Sequence, residues 1–417
     1  MSAAGPAGPQ GSAARVSAPE ASAPGASAAA ASAPNASAPN ARVARVLRAD
    51  VLAMSAYHVP AADGFVKLDA MENPYPLPDA LRDAFARRLA AVPLNRYPVP
   101  DYAALKAAIR DRFGVPAACG LILGNGSDEL ISLLSVATAR PGAVVLSAWP
   151  SFVMYQVSAQ LAGSRFVGVP LAPGFGLDRA AMLAAIEREA PALVYLSYPN
   201  NPTGACFDDG VIRDILAAAP GLVVIDEAYQ PFAPRTWMPA LERHPDLLVM
   251  RTVSKLGLAG LRLGFMAGAP DWIGQLDKVR PPYNVNVLTE AAALFALEHH
   301  AVFDAQAATI RAERAVLADR LARLPGVEVF ASDANFLLLR VPQAPAVWQA
   351  LRDRRVLVKD VGRMHASLHD CLRITVGAPQ ENATLLASLD EILVQRPGGS
   401  PPEGSRPGSD GAHPTTP

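Results

Sequence analysis

Short apolar runs of β character alternate with amphipathic helical stretches through the middle of this chain, and this alternation constrains the fold most strongly. The runs are rich in Val, Leu, Ile and aromatic residues, as buried strands are. Because they are apolar on both faces, they suit parallel strands that are covered by helices on either side. The sequence therefore predicts an α/β fold with a mostly parallel sheet. The strand candidates are residues 142–148, 164–170, 192–198, 222–228, 247–254 and 262–268.

The pattern changes towards both ends of the chain. A long helical stretch from about residue 302 leads to several short strand-like runs and a last helix, which predict a second, smaller α+β domain. The two ends are rich in Ser, Pro and Gly and cannot bury enough apolar surface to offset the entropy lost on ordering. The expected division is a disordered tail (1–41), an N-terminal arm with part of the small domain (42–90), a large domain (91–298), a small domain (299–395) and a second disordered tail (396–417).

Composition excludes several classes of protein. Lys and Arg number 37 against 38 Asp and Glu, so the net charge of −1 offers no basic surface for nucleic acid or an anionic membrane. No uninterrupted apolar run approaches the roughly 18 residues of a membrane span. The three cysteines (Cys119, Cys206 and Cys371) lie far apart, which fits a reducing compartment better than a disulfide framework or a zinc site. We therefore expect a cytoplasmic protein whose partners are small molecules.

Polar residues follow several of the predicted strands at the point where each strand ends. In sheets of this kind the ligand binds beyond the carboxyl ends of the strands, so these residues are the candidates for function. The turn PNNPTG (199–204) follows one run, Asp226 and Tyr229 follow the next, and Lys255 follows another. Upstream, residues 124–128 (GNGSD) lie between a strand-like run and a helix start, where free N–H groups and the helix dipole favour an anion.

These motifs resemble those of the fold-type I pyridoxal-phosphate aminotransferases of class I and II. The resemblance rests on PNNPTG, IDEAY and SKLGLAGLRLG, while NRYP, GNGSDE, RTVSK and LRITVG are most similar to the histidinol-phosphate aminotransferase branch. It implies a large domain with a mostly parallel seven-stranded sheet flanked by helices, plus a smaller α+β domain. It also implies pyridoxal 5'-phosphate as cofactor, histidinol phosphate and 2-oxoglutarate as substrates, and a homodimer with shared active sites.

The resemblance assigns catalytic roles to Lys255, Asp226 and Tyr229. A buried lysine with a destabilised ammonium becomes a nucleophilic amine, which can attach to the cofactor and later move protons. A carboxylate against the pyridine nitrogen keeps that nitrogen protonated, and Asp226 fits this role. Asn201 and Tyr229 match the family's donors to the 3-oxygen of the ring, and Asn201 would also line the substrate site. Phe152 stands where relatives place an aromatic side chain that stacks on the ring.

The phosphate of the cofactor would have its own ligands. A helix N-terminus, serine hydroxyls and a bidentate guanidinium are the donors that phosphates prefer. By resemblance, Tyr97 would reach the phosphate bound in the neighbouring subunit. The expected ligands within the same subunit are Gly126, Ser127, Asp128, Ser254 and Arg262.

The substrate would be bound by cationic groups. Arg373 resembles the arginine that grips the carboxylate of glutamate or 2-oxoglutarate, and its planar fork would also accept the phosphate of histidinol phosphate. Lys359 stands where many members of the branch carry a second phosphate-binding arginine, and a lysine binds phosphate as a point charge. Tyr57 would line the substrate site from the N-terminal arm.

Taken singly, each of these residues also has an ordinary structural explanation. A lone lysine after a strand is usually a solvated surface residue, and Gly-Asn turns are common. The cofactor is favoured because the residues occur together, in one order, at strand ends. His365 and His369 are four residues apart, as metal ligands on a helix can be, but their loop-like surroundings favour surface histidines, and no metal is predicted.

Two other activities stay open at this point, an aromatic amino acid aminotransferase and, with less support, a threonine-phosphate decarboxylase. Both resemble the same branch, and the decarboxylase also needs a phosphate pocket. A ligand-binding regulator with an aminotransferase-like domain is disfavoured, because the N-terminal tail has neither the charge nor the helical pattern of a DNA-binding helix-turn-helix.

Overall fold

The computed structural model describes residues 41–56 and 61–394 of the chain. The two predicted tails fall almost entirely outside these ranges, and so does Tyr57. The strands, in chain order, are β1 (Val66–Lys67), β2 (Gly120–Gly124), β3 (Val144–Trp149), β4 (Arg165–Pro170), β5 (Leu193–Ser197), β6 (Leu222–Asp226), β7 (Leu247–Thr252), β8 (Gly264–Gly268), β9 (Glu328–Val329), β10 (Phe336–Arg340), β11 (Val356–Leu357), β12 (Lys359–Asp360) and β13 (Cys371–Thr375).

Helices connect most of these strands, and short 3₁₀ turns fill several of the other connections. The α-helices are α1 (Ala41–Val46), α2 (Ala49–Ala53), α3 (Asp79–Ala90), α4 (Ala103–Phe113), α5 (Ser127–Thr138), α6 (Met154–Leu161), α7 (Arg179–Glu189), α8 (Asp209–Ala218), α9 (Pro270–Leu276), α10 (Val287–Glu298), α11 (His300–Leu321), α12 (Ala344–Asp353) and α13 (Pro379–Val394). Among the described residues, no helix is long and apolar enough to cross a membrane.

A seven-stranded sheet with the order β2-β8-β7-β6-β5-β3-β4 lies at the centre of the molecule. Its strands pair in parallel, except that β8 runs antiparallel to both of its neighbours. Every strand candidate from the sequence overlaps one of these strands, and only β3 extends past its candidate, by one residue. The predicted α/β class and the mostly parallel seven-stranded sheet are therefore confirmed.

Both faces of this sheet are buried, which explains why its strands read as continuous apolar runs. In β5, Val194 and Leu196 pack into the core on one face, whereas Leu193 and Tyr195 pack into the core on the other. Successive side chains of a strand point to opposite faces, so a strand between two helix layers needs apolar residues at every position. The same pattern holds in the neighbouring strand β6, all of whose residues are buried.

A second sheet with the order β12-β13-β10-β9 is antiparallel and lies towards the C-terminal end of the chain. Its apolar residues share a core with α11, α12 and α13. The short strand β1 pairs in parallel with β11, so the segment before residue 90 contacts this C-terminal part of the chain. The domain boundaries drawn from the sequence, at 42–90, 91–298 and 299–395, stay a prediction.

Candidate active site

The carboxyl ends of the parallel strands bring several predicted residues to one edge of the large sheet. Asp226 is the last residue of β6, and the turn with Asn201 follows β5. Lys255 lies in a 3₁₀ turn directly after β7. Arg262 reaches the same edge by another route, because it precedes β8, the strand that runs against its neighbours.

Lys255 is half-buried, and its amine contacts backbone and aromatic groups. Nζ donates to the carbonyl oxygen of Ala70 at 3.1 Å and lies 5.8 Å from the centre of the Tyr229 ring. Burial, and after it the positive charge of Arg373, lowers the pKa of Lys255 from 10.5 to about 8. Desolvation and a like charge both disfavour the ammonium form. A sizeable fraction of this amine is therefore neutral, and thus nucleophilic, slightly above neutral pH.

Asp226 is a buried carboxylate that accepts two hydrogen bonds. Its Oδ2 accepts from the hydroxyl of Tyr155 at 2.8 Å, and its Oδ1 accepts from the Ala228 N–H at 3.1 Å. Burial raises the pKa of Asp226 to about 6, although both hydrogen bonds act to lower it. The negative charge of Asp128 raises the pKa of both Asp226 and Lys255, so the two groups lie within electrostatic reach of one carboxylate. At pH 7 the carboxylate is mostly ionised and can attract a proton on a bound ring nitrogen.

A chain of hydrogen bonds joins Arg373, Asn201 and Tyr229. Nη1 of Arg373 donates to Oδ1 of Asn201 at 2.6 Å, and Nδ2 of Asn201 donates to the hydroxyl of Tyr229 at 3.1 Å. The second nitrogen of the fork, Nη2, donates to the carbonyl oxygen of Asp69 at 2.7 Å. Burial raises the pKa of Tyr229, so this phenol keeps its proton and can donate it in a hydrogen bond. The three side chains form one polar surface beside Lys255.

The segment around Gly126 forms a cradle of backbone N–H groups at the start of α5. Gly126 has a φ of +83°, and a Cβ placed there would lie 2.7 Å from Nη2 of Arg262. A Cβ on Gly264 would lie 2.8 Å from the backbone nitrogen of Ser127. Because glycine occupies both positions, the guanidinium and the helix start can approach each other closely. The arrangement is the kind that binds a phosphate.

Two further predicted phosphate ligands lie in this region. Asp128 accepts a hydrogen bond from Nη2 of Arg262 at 3.1 Å, so it orients the guanidinium. Ser254 is buried, and its hydroxyl accepts a hydrogen bond from Thr252 at 2.8 Å. Thr252 also accepts from the Ser254 backbone N–H at 3.1 Å. Two hydrogen bonds with Thr252, the last residue of β7, thus fix the position of Ser254.

Lys359 lies directly opposite Arg373 in the antiparallel pair β12–β13. Residues opposite each other on neighbouring strands project from the same face of a sheet. Burial, and after it the charge of Arg373, lowers the pKa of Lys359. Two cationic side chains therefore share one face beside the polar surface of Asn201, which suits an anionic substrate.

The other predicted residues have different positions. Phe152 is half-buried and makes an edge-on contact with Tyr155, with ring centres 5.6 Å apart. Tyr97 is 80% exposed, and its ring stacks on Tyr283 at 4.6 Å. No contact of Tyr97 with Lys255, Asp226 or Arg262 is found among the described residues. Tyr57 lies outside those residues, so its predicted role stays a prediction.

The residues at this edge of the sheet fit pyridoxal phosphate. Glycine at positions 126 and 264 lets the Ser127 N–H and the Arg262 guanidinium lie close together, which suits a phosphate group. Asp226 offers a buried carboxylate for a ring nitrogen, and Lys255 offers an amine of lowered pKa for an aldehyde.

Comparison with known proteins identifies the family. Residues 63–389 match the family described as Aminotransferase class I and II. This chain belongs to that family. It is 60% identical over 360 residues to histidinol-phosphate aminotransferase 1 of Ralstonia nicotianae, a match that covers 85% of this chain and 96% of the relative. It is 56% identical over 352 residues to the histidinol-phosphate aminotransferase of Chromobacterium violaceum, covering 84% of this chain and 99% of the relative.

A solved structure resembles the fold of this aminotransferase. The crystal structure of histidinol-phosphate aminotransferase from Sinorhizobium meliloti in complex with pyridoxal-5'-phosphate matches with a TM-score of 0.73 and 26% sequence identity. The match covers 81% of this chain and 95% of that chain. The similarity to the class I and II aminotransferases that was drawn from the motifs is therefore confirmed.

Three features of the aminotransferase site were not predicted from the sequence. Tyr155 bonds to Asp226, but it lies on α6, far along the chain. The carbonyl oxygen of Ala70 accepts a hydrogen bond from the Lys255 amine, and a backbone group leaves no signal in a sequence pattern. Glu227, next to Asp226 in the IDEAY motif, forms a buried ion pair with Arg251 at 2.7 Å. The sequence signal for this pair was an acidic residue that directly follows an apolar strand, where a buried carboxylate needs a cationic partner.

Proposed function

We propose that this protein is a pyridoxal-phosphate-dependent aminotransferase that moves an amino group between histidinol phosphate and 2-oxoglutarate. In the biosynthetic direction, imidazole acetol phosphate and glutamate would react to give histidinol phosphate and 2-oxoglutarate, a step of histidine biosynthesis. Two relatives at 60% and 56% identity are named histidinol-phosphate aminotransferases, which supports this substrate pair. The observation that carries the proposal is that Lys255, directly after β7, and Asp226, at the end of β6, lie at the edge of the large sheet where Asn201 accepts a hydrogen bond from Arg373.

The chain's own groups would act around the bound cofactor. Pyridoxal phosphate supplies an electron-withdrawing ring that stabilises negative charge on the substrate carbon. The neutral amine of Lys255 can accept a proton from that carbon and return it elsewhere, because its pKa lies close to the working pH. The carboxylate of Asp226 would hold a proton on the ring nitrogen. Asn201 and Tyr229 would donate hydrogen bonds to the ring oxygen.

Binding of the substrate is assigned to Arg373 and Lys359. The Arg373 fork is already held by Asn201 and by the carbonyl of Asp69, so its direction is set before a substrate arrives. Such preorganisation lowers the entropy lost on binding. Arg373 can grip the carboxylate of glutamate or a phosphate, and Lys359 adds a second positive charge that favours a dianionic phosphate over a monoanion.

The cofactor would be held at two ends. Its phosphate would bind the N–H group of Ser127, the hydroxyl of Ser254 and the guanidinium of Arg262, with Asp128 orienting the guanidinium. Gly126 would contribute through the close approach that its missing side chain permits, since its own N–H donates to the carbonyl oxygen of Gly124 at 2.8 Å. Phe152 would cover one face of the ring, since its side chain is half-buried beside Tyr155, the residue that binds Asp226.

A homodimer with shared active sites is part of the same proposal. Tyr97 and Tyr283 form a stacked aromatic pair that is 80% and 40% exposed, respectively. An exposed aromatic pair of this kind suits an interface with a second copy of the chain, across which Tyr97 would reach the partner's phosphate. We place the enzyme in the cytoplasm, because its cysteines Cys119, Cys206 and Cys371 are all free thiols.

Initial rates with two amino donors test the proposal. Purified full-length protein loaded with pyridoxal phosphate is assayed with histidinol phosphate and, in parallel, with phenylalanine, each with 2-oxoglutarate. We expect kcat/KM for histidinol phosphate to be higher by at least about a hundredfold. Phenylalanine has no phosphate to pair with the cationic side chains that would bind the phosphate of histidinol phosphate. Faster turnover of phenylalanine would indicate an aromatic aminotransferase. Release of CO₂ from threonine phosphate without 2-oxoglutarate would indicate a decarboxylase.

A further inference from the structure

Tyr155 has an unusual set of contacts for a core residue. It is fully buried on α6, and its hydroxyl donates to Oδ2 of Asp226 at 2.8 Å. Its ring stacks on Tyr195, with ring centres 4.4 Å apart and an angle of 3° between the planes. Phe152 contacts the ring edge-on, with an interplanar angle of 86°. The ring is therefore fixed on a face and on an edge, which also fixes the direction of the hydroxyl.

The carboxylate that receives this hydroxyl has few other partners. Among the described residues, the remaining hydrogen bond to the Asp226 side chain comes from the Ala228 N–H at 3.1 Å, and it reaches the other oxygen. A buried carboxylate oxygen without a donor is strongly destabilised in its charged form. Tyr155 thus satisfies Oδ2 and, together with the Ala228 N–H on the other oxygen, sets the rotation of the carboxylate.

We propose that Tyr155 is a positioning residue for the cofactor, which acts by holding the Asp226 carboxylate in its charged form and in one orientation. The inference rests on the proposed function, because it requires that Asp226 faces the ring nitrogen of pyridoxal phosphate. Tyr155 itself does not need to touch the cofactor. Its effect is transmitted through one hydrogen bond to Asp226.

The surroundings of Asp226 make this hydroxyl important. Among the described residues, the negative charges of Asp128, at the start of α5, and of Glu227, the next residue along the chain, both raise the pKa of Asp226 after the larger effect of burial. The tyrosines that face it are Tyr155, Tyr195 and Tyr229, which keep their protons because burial raises the pKa of each. Loss of the hydroxyl would leave the Ala228 N–H as the remaining hydrogen bond that favours ionisation of Asp226, against burial and two negative charges.

Tyr195 provides a matched control. It belongs to the same stacked pair and is equally buried, but the Asp226 carboxylate receives its hydroxyl bond from Tyr155. Tyr155→Phe and Tyr195→Phe each remove one hydroxyl from this pair and leave both rings in place. The two variants therefore differ in whether the removed hydroxyl bonds to the carboxylate.

The test measures the affinity of the apo-protein for pyridoxal phosphate by equilibrium dialysis at pH 7.5, a pH at which the carboxylate is ionised in the wild type. We expect Tyr155→Phe to raise Kd by about tenfold or more, as for loss of a hydrogen bond to a charged group, and Tyr195→Phe to change it by less than about twofold. Equal affinity of Tyr155→Phe and the wild type overturns the inference. If the wild type does not bind pyridoxal phosphate, the proposed function fails instead.

A double-mutant cycle keeps the inference testable if Tyr155→Phe also weakens the fold. In an Asp226→Asn background the side chain carries no charge, so Tyr155→Phe should change the cofactor Kd much less than it does with Asp226 present. An equal loss of affinity in both backgrounds would mean that Tyr155 supports the fold alone, and would refute a positioning role. The melting temperature of each apo-protein separates this structural loss from the loss of affinity.

Discussion

The guanidinium of Arg373 donates to the side-chain oxygen of Asn201 at 2.6 Å, and this hydrogen bond connects the two main sheets of the molecule. Arg373 lies on β13 of the four-stranded sheet, whereas Asn201 lies in the turn after β5 of the seven-stranded sheet. The contact is buried and charge-assisted, a combination that gives the stronger hydrogen bonds of proteins. A substrate anion at Arg373 is therefore bound next to the residue expected to bind the ring oxygen of the cofactor.

Removal of the Arg373 charge should affect Lys255 as well as the substrate. In Arg373→Gln, we expect the pKa of Lys255 to rise above about 8, because a like charge that lowers it is lost. The pH dependence of covalent cofactor attachment to the apo-protein should move to higher pH, and KM for glutamate should rise by at least about tenfold. Arg340→Gln, on β10 of the same sheet, is the control and should change neither quantity.

Replacement of Lys255 should abolish covalent attachment of the cofactor. Lys255→Ala has no amine to bond to the aldehyde, so borohydride treatment should fix no cofactor on the protein, and turnover should fall by at least about a thousandfold. Mass spectrometry of the reduced protein measures the attachment. Lys278→Ala, at an exposed position, should attach cofactor as the wild type does. A reduced adduct in the Lys255→Ala protein would show that another amine is the nucleophile.

The stability of the apo-protein should depend on pH through Asp226. Its pKa is about 6 in the folded state against 3.8 without the fold, so the folded state binds the proton more tightly. The free energy of unfolding should therefore fall as the pH rises from about 4 to about 6 and level off above that range. Asp226→Asn avoids this cost and should exceed the wild type at pH 8 by about 1–3 kcal/mol.

Urea unfolding of the two apo-proteins at several pH values measures this difference. Asp271→Asn changes an exposed residue in the first turn of α9 and is the control. A difference between Asp226→Asn and the wild type that stays constant from pH 4 to pH 8 would contradict the raised pKa. With cofactor present the order should reverse, since Asp226→Asn loses the partner of the ring nitrogen and most of its turnover.

Substitution of Gly126 should separate backbone strain from phosphate binding. Gly126 and Gly163 both have positive φ, +83° and +78°, but a Cβ at Gly163 meets nothing within 4 Å. Gly126→Ala and Gly163→Ala should each lose about 1–3 kcal/mol of stability from the strained backbone. We expect Gly126→Ala alone to weaken binding of pyridoxal phosphate, because its Cβ displaces the Arg262 guanidinium. Equal affinity in the two variants would exclude the cradle as the phosphate site.

Shared active sites can be tested by mixing two inactive variants. Tyr97→Ala and Lys255→Ala homodimers should each be strongly impaired, whereas random mixing after mild denaturation creates heterodimers with one intact site. Half of the dimers would then carry one working site out of two, so activity should recover to about a quarter of the wild-type level. No recovery on mixing would place Tyr97 in its own subunit's site or outside any site.

The sequence predicted the strand-end residues well because buried parallel strands leave a clear signal. An apolar run such as that before Asp226 is typical of a central strand. Its polar last residue then lies at the carboxyl end of that strand, where ligands bind. The pairing of Tyr155 with Asp226 was not predictable in this way. It depends on how α6 packs against the sheet, and a buried tyrosine on a helix looks like any other core residue. Likewise, Tyr97 was predicted as a cofactor ligand, and within one chain it contacts Tyr283 instead, so its role stays a prediction about the dimer.

The connection between β7 and β8 has a practical consequence for engineering this enzyme. Thr252 and Gly264 are direct neighbours across the two strands, and the backbone N–H of Val253 closes the connection on the carbonyl of Leu263 at 3.1 Å. Lys255 and Arg262 thus lie in one short connection, and both ends of this connection are fixed to the sheet. A library that varies composition there can retain the separation between amine and guanidinium, whereas a single inserted residue would change it. Insertions and deletions should therefore be made in other connections.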